Sequence, residues 1–286
     1  MTPTIEPRVL HFESDGITLT GERWDGGGDG AVVVLLHGGG QTRHSWKRTA
    51  QRLAHDGRTA IALDARGHGD SAWHPTQDYS SDGFIGDLVR FVSTLERPPV
   101  LVSASLGGIT ALAATGENPG LAAALVLVDI VVTPEPQGVA RIRDFMTATP
   151  EGFASLEEVA DAIAAYNPHR PRPANLDGLR KNVRLHDDGR WYWHWDPAFM
   201  IVGDEPRRGI YQKRLRAAAA AITVPTLVVR GLQSDVVSDA GLADIRSLIP
   251  HAQVADVDGA GHMVAGDDND IFASTLERFL AGIGLD

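Results

Sequence analysis

Ser105 stands in the run Val-Ser-Ala-Ser-Leu-Gly-Gly, residues 102–108. An apolar stretch, Val100-Leu101-Val102, precedes it, and a helix-forming stretch, Ile109 to Ala114, follows. A strand, a tight turn with a serine at its centre and a helix would lift that hydroxyl clear of a sheet, where it could act as a nucleophile. Small neighbours are needed because strand and helix nearly touch at such a turn, and Ser103, Gly107 and Gly108 meet that need. The plain alternative is a Gly/Ser-rich turn without chemistry.

A serine hydroxyl is a weak nucleophile at neutral pH and needs a base to take its proton. His262, in Asp258-Gly259-Ala260-Gly261-His262-Met263, follows the strand-like Val254 to Val257 and precedes an amphipathic stretch, Phe272 to Ile283. A carboxylate would hold the imidazole in one tautomer and stabilise the imidazolium. Asp235 lies beyond the aliphatic run Thr226 to Val229 in ITVPTLVVRGLQSD, residues 222–235. Asp129 ends the apolar run Ala124 to Val128 and is the alternative acid.

In these segments the chain resembles the α/β-hydrolase family. The family's usual elbow is G-x-S-x-G; here it reads Ser103-Ala104-Ser105-Leu106-Gly107, with serine for the first glycine. The order Ser105, Asp235, His262 matches the family's chain order of nucleophile, acid and base. The fuller match of VPTLVVRGLQSD favours Asp235 over Asp129, although some members carry their acid after the earlier strand. The resemblance implies an oxyanion hole from the amides of Gly39, in His37-Gly38-Gly39-Gly40 after the strand-like Val32 to Leu36, and of Leu106. His37 is expected to support that loop. Asp64, Arg66 and Ser71, in IALDARGHGDS, match a family loop and are expected to staple it.

The expected architecture is α/β, with a mainly parallel sheet covered by helices on both faces. A hairpin around Asp15-Gly16 comes first. Parallel strands follow near Val32–Leu36, Thr59–Leu63, Val100–Val102, Ala124–Val128, Thr226–Val229 and Ala252–Val257. The alternation lapses between Val128 and Thr226, where no clear strand is read. Helices are expected at Ala140–Met146, Ser155–Tyr166 and Leu176–Val183, and Arg214–Ala221 is expected to lead back to the core. The expected domains are a core, residues 1–132 and 222–286, and a helical lid, residues 133–221. The lid carries Trp191-Tyr192-Trp193-His194-Trp195. Trp191, Trp193, Trp195, Phe145 and Met146 are candidates for an apolar substrate pocket, with Phe199 and Met200 weaker ones. Rings that simply pack the lid are the plain alternative.

Composition narrows the class. The chain has 286 residues, no cysteine and a net charge of −11. A thiol nucleophile and a disulfide framework are excluded. The acidity disfavours nucleic acid as a partner. No stretch approaches the roughly 18 apolar residues of a membrane span, and MTPTIEPRVLHFESDG has no signal-peptide core, so a cytoplasmic protein is expected. His68 and His74 lie near acids but match no ligand motif, so neither metal nor cofactor is expected. These readings point to a cofactor-independent serine hydrolase, first a carboxylesterase on small to medium apolar esters. A C–C bond hydrolase, a lactonase, a perhydrolase and a non-enzymatic ligand receptor are the alternatives. The expected partner is a small acyl substrate, and a homodimer stays open.

Overall fold

A computed structural model describes residues 5–168, 171–200, 205–258 and 270–285. Ten strands appear in chain order: β1 (Arg8–Ser14), β2 (Ile17–Trp24), β3 (Val33–Leu36), β4 (Ala60–Leu63), β5 (Val100–Ala104), β6 (Ala124–Val128), β7 (Val183–Leu185), β8 (Trp191–Trp193), β9 (Thr226–Gly231) and β10 (Gln253–Val257). The α-helices are α1 (Lys47–His55), α2 (Ser81–Val92), α3 (Ser105–Glu117), α4 (Pro136–Thr147), α5 (Leu156–Tyr166), α6 (Glu205–Ala220), α7 (Asp239–Leu248) and α8 (Asp270–Gly282). The main sheet runs β1-β2-β4-β3-β5-β6-β9-β10. The pairs β1/β2 and β2/β4 are antiparallel, and every later pair is parallel.

The sheet is buried on both faces, and its strands show why. Val33, Leu35, Val100, Val102, Val126 and Val128 join the apolar layer that includes Phe272 and Leu276 of α8. The intervening Val34, Leu101, Leu125 and Leu127 join the opposite layer, with Leu88 of α2 and Leu112 of α3. A strand with two buried faces must be apolar at nearly every position, as these are. Asp15 (φ 55°) and Gly16 (φ 76°) close the first hairpin in the left-handed geometry that a two-residue turn requires.

Strand order creates the crevice. From β3 the chain moves to one side for β4, then crosses back to β5 on the other side of β3. The loops after β3 and β5 therefore diverge at the carboxyl end of the sheet, where open α/β sheets place their ligands.

Between β6 and β9 the chain leaves the sheet. Two expectations there are corrected: the segment carries strands β7 and β8 where none was expected, and one expected helix is absent. Leu176–Val183 is not an α-helix: a short 3₁₀ turn, Asp177–Lys181, leads into β7, which pairs with β8. Val183 is buried against Phe153, Val159 and Trp193, and Gly189 (φ 78°) turns the chain back. Cross-strand packing of large rings outweighs the weak helical preference of these residues.

Ser105 has φ 46° and is not glycine. A left-handed serine costs on the order of 1 kcal/mol, which glycine avoids. Ser105→Gly is therefore expected to be about 1 kcal/mol more stable than Ser105→Ala. Urea unfolding of the two variants measures this, and equal midpoints would count against strain at the turn.

Candidate active site

Ser105 is the first residue of α3, directly after Ala104 at the end of β5. The first turn of α3 lies against the loop after β3. A Cβ on Gly107 would stand 2.7 Å from the His37 carbonyl oxygen, so only glycine fits. The Gly107 amide donates to that oxygen at 3.1 Å. A Cβ on Gly38 would approach the Ser105 Cβ to 3.0 Å. The Ser105 turn and the glycine loop thus lie in close contact.

The loop is held from several sides. His37 Nδ1–H donates to the Gly38 carbonyl at 2.7 Å, while its Nε2 accepts the Ala65 amide at 3.0 Å. With Nε2 accepting, the ring is neutral and its proton sits on Nδ1. In a trans peptide the C=O and N–H point in opposite directions. Holding the Gly38 carbonyl therefore aims the Gly39 N–H the other way. The Gly38 amide donates to Gln41 Oε1 at 2.9 Å, and the Gln41 amide donates to the Gly38 carbonyl at 3.1 Å.

The Ala65 amide comes from a rigid loop. Asp64, fully buried, accepts from the Arg43 amide at 2.6 Å, from the Arg43 guanidinium and from the Asp70 amide at 2.9 Å. Arg66, fully buried, is gripped by Asp87 at 2.6 and 2.8 Å. Ser71 Oγ donates to the Asp64 carbonyl at 2.8 Å.

The two acids differ sharply. Asp129 is 1% exposed, and Asp235 has a side chain 38% exposed. Ala104 pairs with Val128, so Ser105 and Asp129 leave neighbouring strands at the same level. Asp129 also has a left-handed backbone, φ 51°. Its carboxylate accepts the Gly231 amide at 3.1 Å and the Ser234 hydroxyl at 2.6 Å. Asp235 instead pairs with Arg141 of α4 at 2.7 Å. His262 lies outside the described residues.

The sequence candidates for the pocket separate into two groups. Met146 and Trp195 crowd Gly40: a Cβ there would lie 3.1 and 3.3 Å from them. Trp193 stacks on Trp195 with centroids 4.9 Å apart, and Phe145 follows at 5.5 Å from Trp193. Trp191 sits apart, under the Arg180 guanidinium. Phe199 reaches within 3.5 Å of the position a Gly39 Cβ would take. Tyr79 donates to buried Asp196 at 2.5 Å, and Asp196 accepts the Ala198 amide, which fixes the turn that presents Phe199. An apolar cavity of about 50 Å³ lies behind Leu106, against Leu36, Leu63, Phe84 and Leu88.

Sequence reasoning missed a buried imidazole cluster. His68 lies 5.4 Å from His37 and 5.9 Å from His194, ring to ring. Burial pushes His37 and His194 below the ordinary imidazole range and His68 down to about 3. His68 Nε2 has no hydrogen-bond partner among the described residues. No group of three or more ligating side chains among the described residues is arranged for a metal ion.

The alpha/beta hydrolase fold model matches residues 31–268. The chain belongs to the α/β-hydrolase fold family. This α/β hydrolase is 32% identical to esterase Rv0045c of Mycobacterium tuberculosis, over 91% of its own length and 85% of the relative's. It is 27% identical to the 2-(acetamidomethylene)succinate hydrolase of Mesorhizobium japonicum, over 88% and 89%. It is 28% identical to the N-formylmaleamate deformylase of Pseudomonas putida, over 89% and 90%. A solved E-2-(acetamidomethylene)succinate hydrolase superposes with a TM-score of 0.82 at 25% identity, covering 96% of this chain and all of that one. A solved structure of the mycobacterial esterase superposes with a TM-score of 0.75 at 30% identity, over 96% and 91%. No helix among the described residues of this α/β hydrolase is long and apolar enough to cross a membrane.

The imidazole cluster makes stability depend on pH. A histidine buried neutral binds fewer protons in the folded than in the unfolded state between its depressed pKa and about 6.5. Folding therefore weakens as pH falls below about 6.5, by about 1.4 kcal/mol per unit for each such group. For His68 the loss continues down to about 3. His68→Asn is expected to flatten the decline between pH 6.5 and 5 by about one such slope. Chemical denaturation across that range checks it, and an unchanged slope would show that His68 is not buried neutral.

Proposed function

We propose that this α/β hydrolase is a cofactor-independent carboxylesterase acting on small to medium, fairly apolar esters. The observation that carries the reading is Ser105, held left-handed at a strand-to-helix turn against Gly38, the first of three consecutive glycines. Such strain persists where the surroundings enforce it, and nucleophile turns are one such place.

Ser105 Oγ attacks the ester carbonyl while His262 takes its proton. The amides of Gly39 and Leu106 receive the oxyanion, the second from the amino-terminal turn of α3, where the helix dipole favours negative charge. His262 then protonates the departing alcohol. It next activates water, which releases the acid and frees Ser105.

The acid of this triad is Asp129. Burial, a position level with Ser105 and two donors that fix its carboxylate all suit an acid that must orient an imidazole. Asp235 is half exposed and neutralised by Arg141, so it would exert little field on an imidazole. Residues 133–221 form the lid, and Trp195, Met146 and Phe199 wall the pocket beside the glycine loop. Trp193 and Phe145 stand behind Trp195.

Two relatives act on 2-(acetamidomethylene)succinate and N-formylmaleamate, whose names denote acidic compounds. An acidic substrate calls for an uncommitted cation. Here Arg141 is held by Asp235, and Arg184 is held by Asp70 and the Gly69 carbonyl. Among the described residues beside the glycine loop, Trp195, Met146 and Phe199 are apolar, which supports a neutral ester.

Steady-state hydrolysis of p-nitrophenyl esters from acetate to octanoate tests the reading. Wild type is expected to turn over many times and Ser105→Ala not at all. Asp129→Asn is expected to lower kcat about 10³–10⁴-fold, and Asp235→Asn less than about tenfold. The reverse ranking would return the acid to Asp235. A folded wild type inactive on every ester would sink the esterase reading.

A further inference from the structure

Gly38, Gly39 and Gly40 have no side chains to restrict them, yet an oxyanion donor must be fixed before the reaction begins. The constraint has to come from outside the loop. At its first end the Gly38 carbonyl is held by His37 Nδ1–H and the Gln41 amide. At its other end the Gly40 carbonyl faces His194 Nε2 at 3.3 Å.

His194 belongs to the segment inserted between β6 and β9, one residue beyond β8. It is 2% exposed. Its Nδ1 accepts the Gly69 amide at 2.7 Å. That bond consumes the Nδ1 lone pair, so the single proton of the neutral ring sits on Nε2 and points at Gly40. The backbone around it is anchored too: the His194 amide donates to the Asn182 carbonyl at 3.1 Å, and the Asp196 amide to the Gly67 carbonyl at 2.9 Å. The adjoining Trp195 ring lies 3.3 Å from where a Cβ on Gly40 would stand.

We propose that His194 is a positioning residue for the oxyanion loop, tying the inserted segment to the Gly39 donor through the Gly40 carbonyl. The proposal rests on the serine-hydrolase reading above. It assigns to the inserted segment a part in transition-state stabilisation in addition to its walling of the pocket. A well-fixed Gly40 holds the chain on the far side of Gly39, so that both neighbours of the donor are immobile. Freeing one neighbour should cost less than deleting the donor itself, which costs about 10²–10³-fold.

The test uses the rate at which an alkyl fluorophosphonate labels Ser105, because that reaction develops charge in the oxyanion hole whatever the natural substrate is. Two variants separate positioning from packing. His194→Asn keeps an acceptor for the Gly69 amide but is too short to reach Gly40. His194→Gln can donate to Gly40. Labelling of His194→Asn is expected to slow about tenfold, and His194→Gln to stay within about threefold of wild type. In ester hydrolysis the Asn variant should lose kcat with KM nearly unchanged. Thermal unfolding confirms that both variants are folded. Wild-type labelling rates in both variants, or equal slowing in both, would overturn the proposal. A wild type that resists labelling would instead overturn the serine-hydrolase reading on which it rests.

Discussion

The contact on which the site depends is the near-collision of the first turn of α3 with the loop after β3. Gly107 leaves no room for a Cβ against the His37 carbonyl, and Gly38 leaves little against Ser105. Backbones brought this close place a helix amino terminus, a loop amide and a hydroxyl within one small volume. The sheet makes it possible by switching direction at β3, so that two loops diverge at its carboxyl end. The left-handed backbone of Ser105 is the local cost of turning from strand to helix in so little space.

That contact would be loose without the layer beneath it. Asp64 with Arg43, and Asp87 with Arg66, are buried charge pairs, and such pairs rarely add much net stability once desolvation is counted. Their effect here is positional. They fix the loop after β4, whose Ala65 amide selects the His37 tautomer, and His37 in turn fixes the Gly38 carbonyl. The same loop offers the Gly69 amide to His194. One rigid loop thus sets the proton positions of two imidazoles that flank three glycines.

Much of this was legible in the sequence, because alternation and chain order are local. The aliphatic runs marked β3, β5, β6, β9 and β10, and the small residues around Ser105 marked the turn. What could not be read depends on which side chains meet across the fold. Asp129 and Asp235 both follow strands, and family context favoured the second. Burial separates them: one lies within hydrogen-bond reach of Gly231 and Ser234, the other is drawn outward by Arg141. The inserted segment was the hardest part. Val183 reads as helical because the pairing that makes it a strand comes from Trp193. His194 hid in an aromatic run, although its alternation with Trp193 and Trp195 was a signal that it faces the other way.

The inserted segment meets Gly40 both through the side chains of Trp195 and Met146 and through the His194 hydrogen bond to its carbonyl. An apolar wall discriminates between substrates by only about 1–3 kcal/mol per methylene. A bond that fixes an oxyanion donor acts on every substrate alike, because the charge it serves appears only in the transition state. If both act on one glycine, a ligand that displaces Trp195 would also disturb the proposed Gly39 donor. Pocket shape and catalytic rate would then vary together, and a substrate that fits badly would be penalised in kcat as well as in KM.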